Sequence, residues 1–131
     1  MLTSFDIQES TREEIVILTL SGRLTVSEAP ELREKVQALA AAGHLKVVLD
    51  LTHIDYIDSI GLGAMVGSAA SLNKRGGALK LVNPNKRNAE LLLMTQLNTL
   101  FEVFNEVDDA VNSFFQQRKV KYFDFFRFIK Q

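Results

Sequence analysis

Near the start of the chain Phe5 and Ile7 alternate with Asp6 and Gln8, the period of two expected of a strand with one wet face. Ile15-Val16-Ile17-Leu18-Thr19-Leu20 follows as a β-rich run that ends at Ser21-Gly22. Two strands therefore open the chain as a hairpin, with the turn expected over Ser10-Thr11-Arg12-Glu13-Glu14. The period then changes. Leu32, Val36, Leu39 and Ala40 recur at helical spacing, with Ser27 as N-cap and Gly43 as stop, which predicts a first helix over roughly residues 28–42. A cap at Ser27 also places Pro30 in the first turn, where its missing N–H breaks no hydrogen bond.

Lys46-Val47-Val48-Leu49-Asp50-Leu51 is a short apolar run of the kind that forms a strand buried on both faces, central in its sheet. After a loop, residues 60–75 are rich in small side chains (Gly61, Gly63, Ala64, Gly67, Ala69, Ala70) and close on Gly76-Gly77, which predicts a helix lying tight against the sheet. Ala78-Leu79-Lys80-Leu81-Val82 gives a fourth strand stopped by Asn83-Pro84. A helix near residues 86–94, a short strand near 101–104 and a helix from Asp108 complete the alternation. The expected fold class is α/β, a single domain with a four- or five-stranded mixed sheet, its N-terminal strands at one side and its helices packed mainly on one face.

At 131 residues, 47% hydrophobic and 24% charged, the chain suits one folded core and not a disordered segment. It has no cysteine, which excludes disulfides, thiolate metal ligands and a cysteine nucleophile. The two histidines, His44 and His53, lack partners at ligand spacing and are expected at the surface or in loops; neither a metal nor a cofactor is expected. Apolar stretches fall far short of a membrane span, and Met1-Leu2-Thr3-Ser4-Phe5-Asp6 lacks the regions of a signal peptide, so the cytoplasm is the expected location. The net charge of -1 conceals an asymmetry: residues 116–131 hold five cations against Asp124, or +4, while residues 1–115 hold 10 Lys and Arg against 15 Asp and Glu, or -5. An acidic body makes a poor nucleic-acid binder.

The most informative segment is Leu49-Asp50-Leu51-Thr52-His53-Ile54-Asp55-Tyr56-Ile57-Asp58-Ser59-Ile60-Gly61-Leu62-Gly63, in which a buried strand runs through a loop into an Asp-Ser-x-Gly-Leu-Gly helix start. A serine that caps or begins a helix has its hydroxyl at the positive end of the dipole beside free backbone N–H groups, where a phosphate is tolerated. Gly61 and Gly63 are unfavourable within a helix, so their presence points to close approach by a partner or by the sheet; Met65, Val66 and Leu62 extend that surface or fill the core. Asp50, Asp55 and Asp58 match no calcium loop and are expected as solvated loop carboxylates. There is no nucleophile, base and orienter set, no phosphate-binding glycine loop and no cofactor fingerprint.

This segment resembles the signature of STAS domains of the anti-sigma factor antagonist type. Supporting features occur in the family's order: Gly22-Arg23-Leu24 after the second strand, Gly76-Gly77 before a Leu-rich strand, Leu97 to Phe104 on the approach to the fifth strand, and Asp108-Asp109-Ala110 opening the last helix. The resemblance covers about residues 4–115, so residues 1–115 are expected as the STAS domain and 116–131 as an extension. It implies a partner switch in bacterial signalling. The unmodified protein captures an anti-sigma factor and frees the sigma factor; the anti-sigma factor, a serine kinase of histidine-kinase-like fold, phosphorylates the antagonist, and a serine phosphatase resets it. Carried onto this chain, Ser59 is the phosphoacceptor, Asp58 its acidic neighbour, and Thr25, Ile60, Gly61, Leu62 and Gly63 join them in the partner contact. The protein would be a kinase substrate and not an enzyme. Two positions depart from the family: Thr25 stands where many antagonists have Asp, and Ile60 where many have a second Ser. The rival expectation is an unphosphorylated STAS scaffold subunit of a transporter or of a stressosome-like sensory assembly.

Residues 116–131 contain Tyr122, Phe123, Phe125, Phe126 and Phe128, five of the chain's 11 aromatics. Phe115, Tyr122, Phe126 and Ile129 fall on one helical stripe continuing Val111 and Phe114, which predicts that the last helix runs on. The stripe would pack on its own domain or form a homodimer; a basic, aromatic helix also suits an anionic membrane or a partner's groove.

Overall fold

A computed structural model describes residues 4–130, with residues 128–130 as backbone alone. Strands β1 (Asp6–Arg12) and β2 (Ile15–Leu24) pair antiparallel from Asp6↔Ser21 to Arg12↔Ile15. The strands run further than their alternation suggested, leaving a turn of only Glu13 and Glu14, both at positive φ (50° and 70°). That geometry matches the right-handed twist of a hairpin, although no glycine or asparagine marks it.

β3 (Lys46–Ile57) lies parallel to β2, from Val16↔Val47 to Leu24↔Ile57, and parallel to β4 (Ala78–Val82); β5 (Val103–Phe104) closes the sheet, whose order is β1-β2-β3-β4-β5. The five-stranded mixed sheet is the one expected. β3 is longer than its apolar start suggested: Thr52 to Ile57, expected as a loop, continue the pairing with β2 because Ile54 and Ile57 keep turning into the core. Three helices form the crossovers, α1 (Ala29–Ala41), α2 (Ser59–Lys74) and α3 (Lys86–Met94). Each parallel strand is added on the same side of the last, and right-handed crossovers then place all three helices on one face. There Leu18, Leu20, Leu49, Leu51 and Leu81 pack against Leu32 and Val36 of α1, Met65 and Leu72 of α2, and Leu92 of α3. On the other face, Ile15, Ile17, Val48, Val82 and Phe104 are covered by α4 (Val107–Asn112) through Ala110 and Val111, and by Phe114, Phe115 and Val120 beyond it.

Two helix ends differ from expectation. The first helix begins at Ala29, and Ser27 does not cap it. Instead Thr25 organises the approach: its carbonyl accepts the N–H groups of Glu28 and Ala29 (3.0 and 2.9 Å), and its hydroxyl and N–H both donate to Glu28 Oε1 (2.6 and 2.9 Å). Pro30 still lies in the first turn. The last helix does not run on. It ends at Asn112; the chain reverses near Gln117 (φ 69°) and returns to the sheet, where Tyr122 bridges Phe104 antiparallel and the Phe123 N–H donates to Val103 O (2.8 Å). Phe114 and Phe115 cover the second face, whereas Phe123 is buried in the first-face core beyond β5, so one straight helix cannot serve both. A short helix, α5 (Phe125–Lys130), then packs along α3. The Ile129 side chain of the expected stripe, and Met1 to Thr3, lie outside the described residues. Among the described residues no helix is long and apolar enough to cross a membrane.

Candidate functional site

Only Asp58 separates β3 from α2, and it is the N-cap of that helix in an extended conformation. Its Oδ1 accepts the Gly61 N–H (2.7 Å), its Oδ2 accepts the Val26 N–H across the β2–α1 loop (3.1 Å), and its own N–H donates to Leu24 O (3.2 Å). Asp58 is thus no solvated loop carboxylate, contrary to expectation: it ties the β2–α1 loop to the start of α2. Asp50 and Asp55 lie on β3, where Asp50 Oδ1 accepts the N–H and hydroxyl of Thr52 (3.1 and 2.6 Å). His44 and His53 are both exposed. Among the described residues no group of three or more His, Asp and Glu is placed to hold a metal.

Ser59 is the first residue of α2 and is exposed. The N–H groups of Ser59 and Ile60 lie in the first turn, where the helix ladder supplies no acceptor, at the positive end of a 16-residue helix. Ile60 (46% exposed) and Gly63 also face outward. Gly61 and Leu62, expected in the contact, do not. Leu62 is packed in the core with Met65, and Val66 packs partly against it. At Gly61 an added Cβ would lie 2.1 Å from Leu24 O, so the close approach that requires this glycine is made by the chain's own β2, at its last residue. At Gly63 an added Cβ would meet nothing within 4 Å.

Thr25 is half-buried and acts within the loop; its hydroxyl, then its N–H, hold the Glu28 carboxyl below the ordinary carboxylate value. Beside it Val26 is 60% exposed, an apolar side chain on the same surface as Ile60 that the sequence did not single out. An apolar residue in an otherwise polar loop was the available signal. Next to the loop, Ser4, Phe5, Arg23, Tyr56 and Asp58 line a groove of about 470 Å³. Arg23 and Arg87 both stack on the Tyr56 ring (4.7 and 3.8 Å), and Arg87 also donates to Ile57 O (3.2 Å). These cations were likewise not singled out for the site. Val26, Ser59, Ile60 and Gly63 are thus the exposed positions around the start of α2.

A mixed sheet whose third strand passes through one aspartate into a glycine-bearing helix, with three crossover helices on one face, is the frame of a STAS domain. The chain belongs to that family: the STAS domain model matches residues 6–110. Among its relatives, the anti-sigma-B factor antagonist of Bacillus subtilis (strain 168) is 32% identical over 108 residues, covering 82% of this chain and 98% of that protein. The Thermotoga maritima protein TM1081 superimposes with a TM-score of 0.78 at 25% identity, covering 82% of this chain and 92% of that one. The phosphorylated form of Bacillus SpoIIAA shares the fold, with a TM-score of 0.67 at 18% identity over 86% of this chain and all of its own.

Proposed function

We propose that this protein is an anti-sigma factor antagonist that works in the cytoplasm by binding an anti-sigma factor, and that phosphorylation of Ser59 switches the binding off. The B. subtilis relative, which this chain matches over nearly its whole length, supports the class of partner. The observation that carries the switch is the position of Ser59: exposed on the first turn of α2, next to the apolar Ile60 and, through the Asp58 bridge, close to Val26. A phosphate there adds about -1.5 to -2 charges to a surface with apolar side chains on it, and desolvating that charge opposes docking. The fold itself has no reason to change, because first-turn amides and the helix dipole stabilise an anion at this end. The partner is a serine kinase of histidine-kinase-like fold, and a serine phosphatase restores the active form. This protein is the kinase's substrate and carries out no catalysis.

Incubation with the candidate anti-sigma kinase and ATP, followed by peptide mass spectrometry, tests the assignment. Phosphate on Ser59 in the wild type and none in Ser59→Ala is the expected result. A protein that binds the candidate but stays unmodified, with Ser59→Ala behaving as wild type in the cell, would instead be a scaffold whose serine only starts a helix.

A further inference from the structure

The large hydrophobic side chains exposed among the described residues fall into two groups. Val26 and Ile60 belong to the Ser59 surface; Met94 (82%) and Leu100 (50%) lie at and just beyond the end of α3, Phe126 (75%) is on α5, which packs along α3, and Tyr122 (55%) stacks on Phe104 at the β5 edge (4.9 Å). Beside them α5 packs along α3, and in a groove of about 300 Å³ Tyr122, Phe123 and Phe125 face Asn98, Thr99 and Phe101. Phe123 and Phe125 turn inward and pack on each other at 4.9 Å, and Phe123 anchors the segment in the core. Phe126 is left on the outer side.

Exposed cations adjoin Tyr122 and Phe126 along the chain. Lys119, Lys121 and Arg127 are all exposed, and none has a carboxylate at ion-pair distance among the described residues. Arg118, by contrast, is spent on the fold, paired with Glu13 (2.9 Å) and stacked on Phe115 (3.9 Å). Body and tail differ in sign, residues 1–115 carrying -5 and residues 116–131 +4. An anionic surface therefore repels most of the molecule and attracts this end, which fixes an orientation.

We propose that the C-terminal segment is a peripheral membrane-binding patch that rests Tyr122 and Phe126 in the headgroup region of an anionic bilayer, with Lys119, Lys121 and Arg127 on its phosphates. Rings with polar or cationic neighbours suit that boundary, and cations next to exposed aromatic residues add electrostatic attraction to insertion. Residues 94–101 lead into the start of β5, whereas α2 begins where β3 ends, so the patch and Ser59 lie toward opposite ends of the parallel strands. Membrane binding and the switch are then compatible, and Ser59 remains open to a partner.

Co-sedimentation of the full chain with vesicles tests this, comparing phosphatidylcholine alone with phosphatidylcholine containing phosphatidylserine. Binding is expected only to the phosphatidylserine vesicles and should weaken as salt rises. The double variant Lys119→Ala/Lys121→Ala, and Phe126→Ala separately, should each reduce partitioning roughly tenfold or more. Both should melt as wild type does, since these side chains are exposed, and Ser59→Asp should bind vesicles as wild type does. No binding to anionic vesicles, or equal binding to both kinds, overturns the proposal. So does light scattering that shows a dimer abolished by the same variants, which would assign the patch to a second copy of the chain.

Discussion

One alanine scan of two neighbouring glycines separates what holds the site together from what it presents. Gly61 and Gly63 lie two residues apart in the first turns of α2. At Gly61 a methyl group would sit 2.8 Å from Leu24 C and 2.1 Å from Leu24 O, the latter more than an ångström inside ordinary contact, and the obstacle is backbone that cannot rotate away. Overpacking of this kind costs about 1–3 kcal/mol, against a gain of about 1 kcal/mol from replacing glycine in a helix. At Gly63 only the gain remains, about 0.5–1 kcal/mol. Urea unfolding should therefore separate the two: Gly61→Ala less stable by up to about 2 kcal/mol, Gly63→Ala more stable, with Tm raised by about 2–5 °C. Partner binding should divide differently. Gly63→Ala puts a methyl group on the docking face and weakens binding despite the added stability, while Gly61→Ala also weakens it, by displacing the loop that carries Val26. If Gly61→Ala stabilises the protein as much as Gly63→Ala does, the β2–α1 loop is not seated on α2 and the site geometry is wrong.

Asp58→Ala removes a helix cap and the bond to the Val26 N–H together. A loss of about 1–2 kcal/mol in denaturant unfolding is expected, with Asp58→Asn recovering most of it. Thr25 holds the Glu28 carboxyl below its ordinary value of 4.5, so this group stabilises the folded state above the unfolded value and loses that contribution as pH falls through the lowered folded one. Thermal melts between about pH 6 and pH 3 should show a smaller loss of Tm for Glu28→Gln than for wild type. Phe123→Ala should cost about 3 kcal/mol or more because the ring is buried beyond β5, whereas the exposed Phe126→Ala should stay within about 0.5 kcal/mol of wild type.

The parallel core was legible because Val47 to Leu51 and Leu79 to Val82 are short, mainly apolar runs, and helices α1 to α3 because their apolar stripes or small-residue faces were bounded by Gly43, Gly76 and Pro84. What escaped was set by tertiary contacts. The Glu13-Glu14 turn carries no turn residue of the usual kind; its positive φ values are imposed by the register of ten- and seven-residue strands on either side. Thr52 to Ile57 are too polar to announce a strand, yet β2 offers them a partner edge. The periodicity of Phe114, Phe115, Tyr122 and Phe126 described a helix that the sheet divides between its two faces. At the site, the Asp-Ser-x-Gly run located the helix start, but a one-dimensional pattern could not show that Gly61 accommodates Leu24 from the same chain. Nor could it show that Asp58 is a clamp, or that Val26, 32 residues earlier, shares the surface.

The most direct measurement of the switch is the affinity of the anti-sigma kinase for two forms of the same chain, unmodified and enzymatically phosphorylated at Ser59, by titration calorimetry. The unmodified form is expected to bind and the phosphorylated form to bind at least tenfold more weakly, a difference of about 1.4 kcal/mol or more, with both melting at nearly the same temperature. Equal affinity of the two forms would contradict the switch and leave a partner-binding domain with an ordinary serine at the start of a helix.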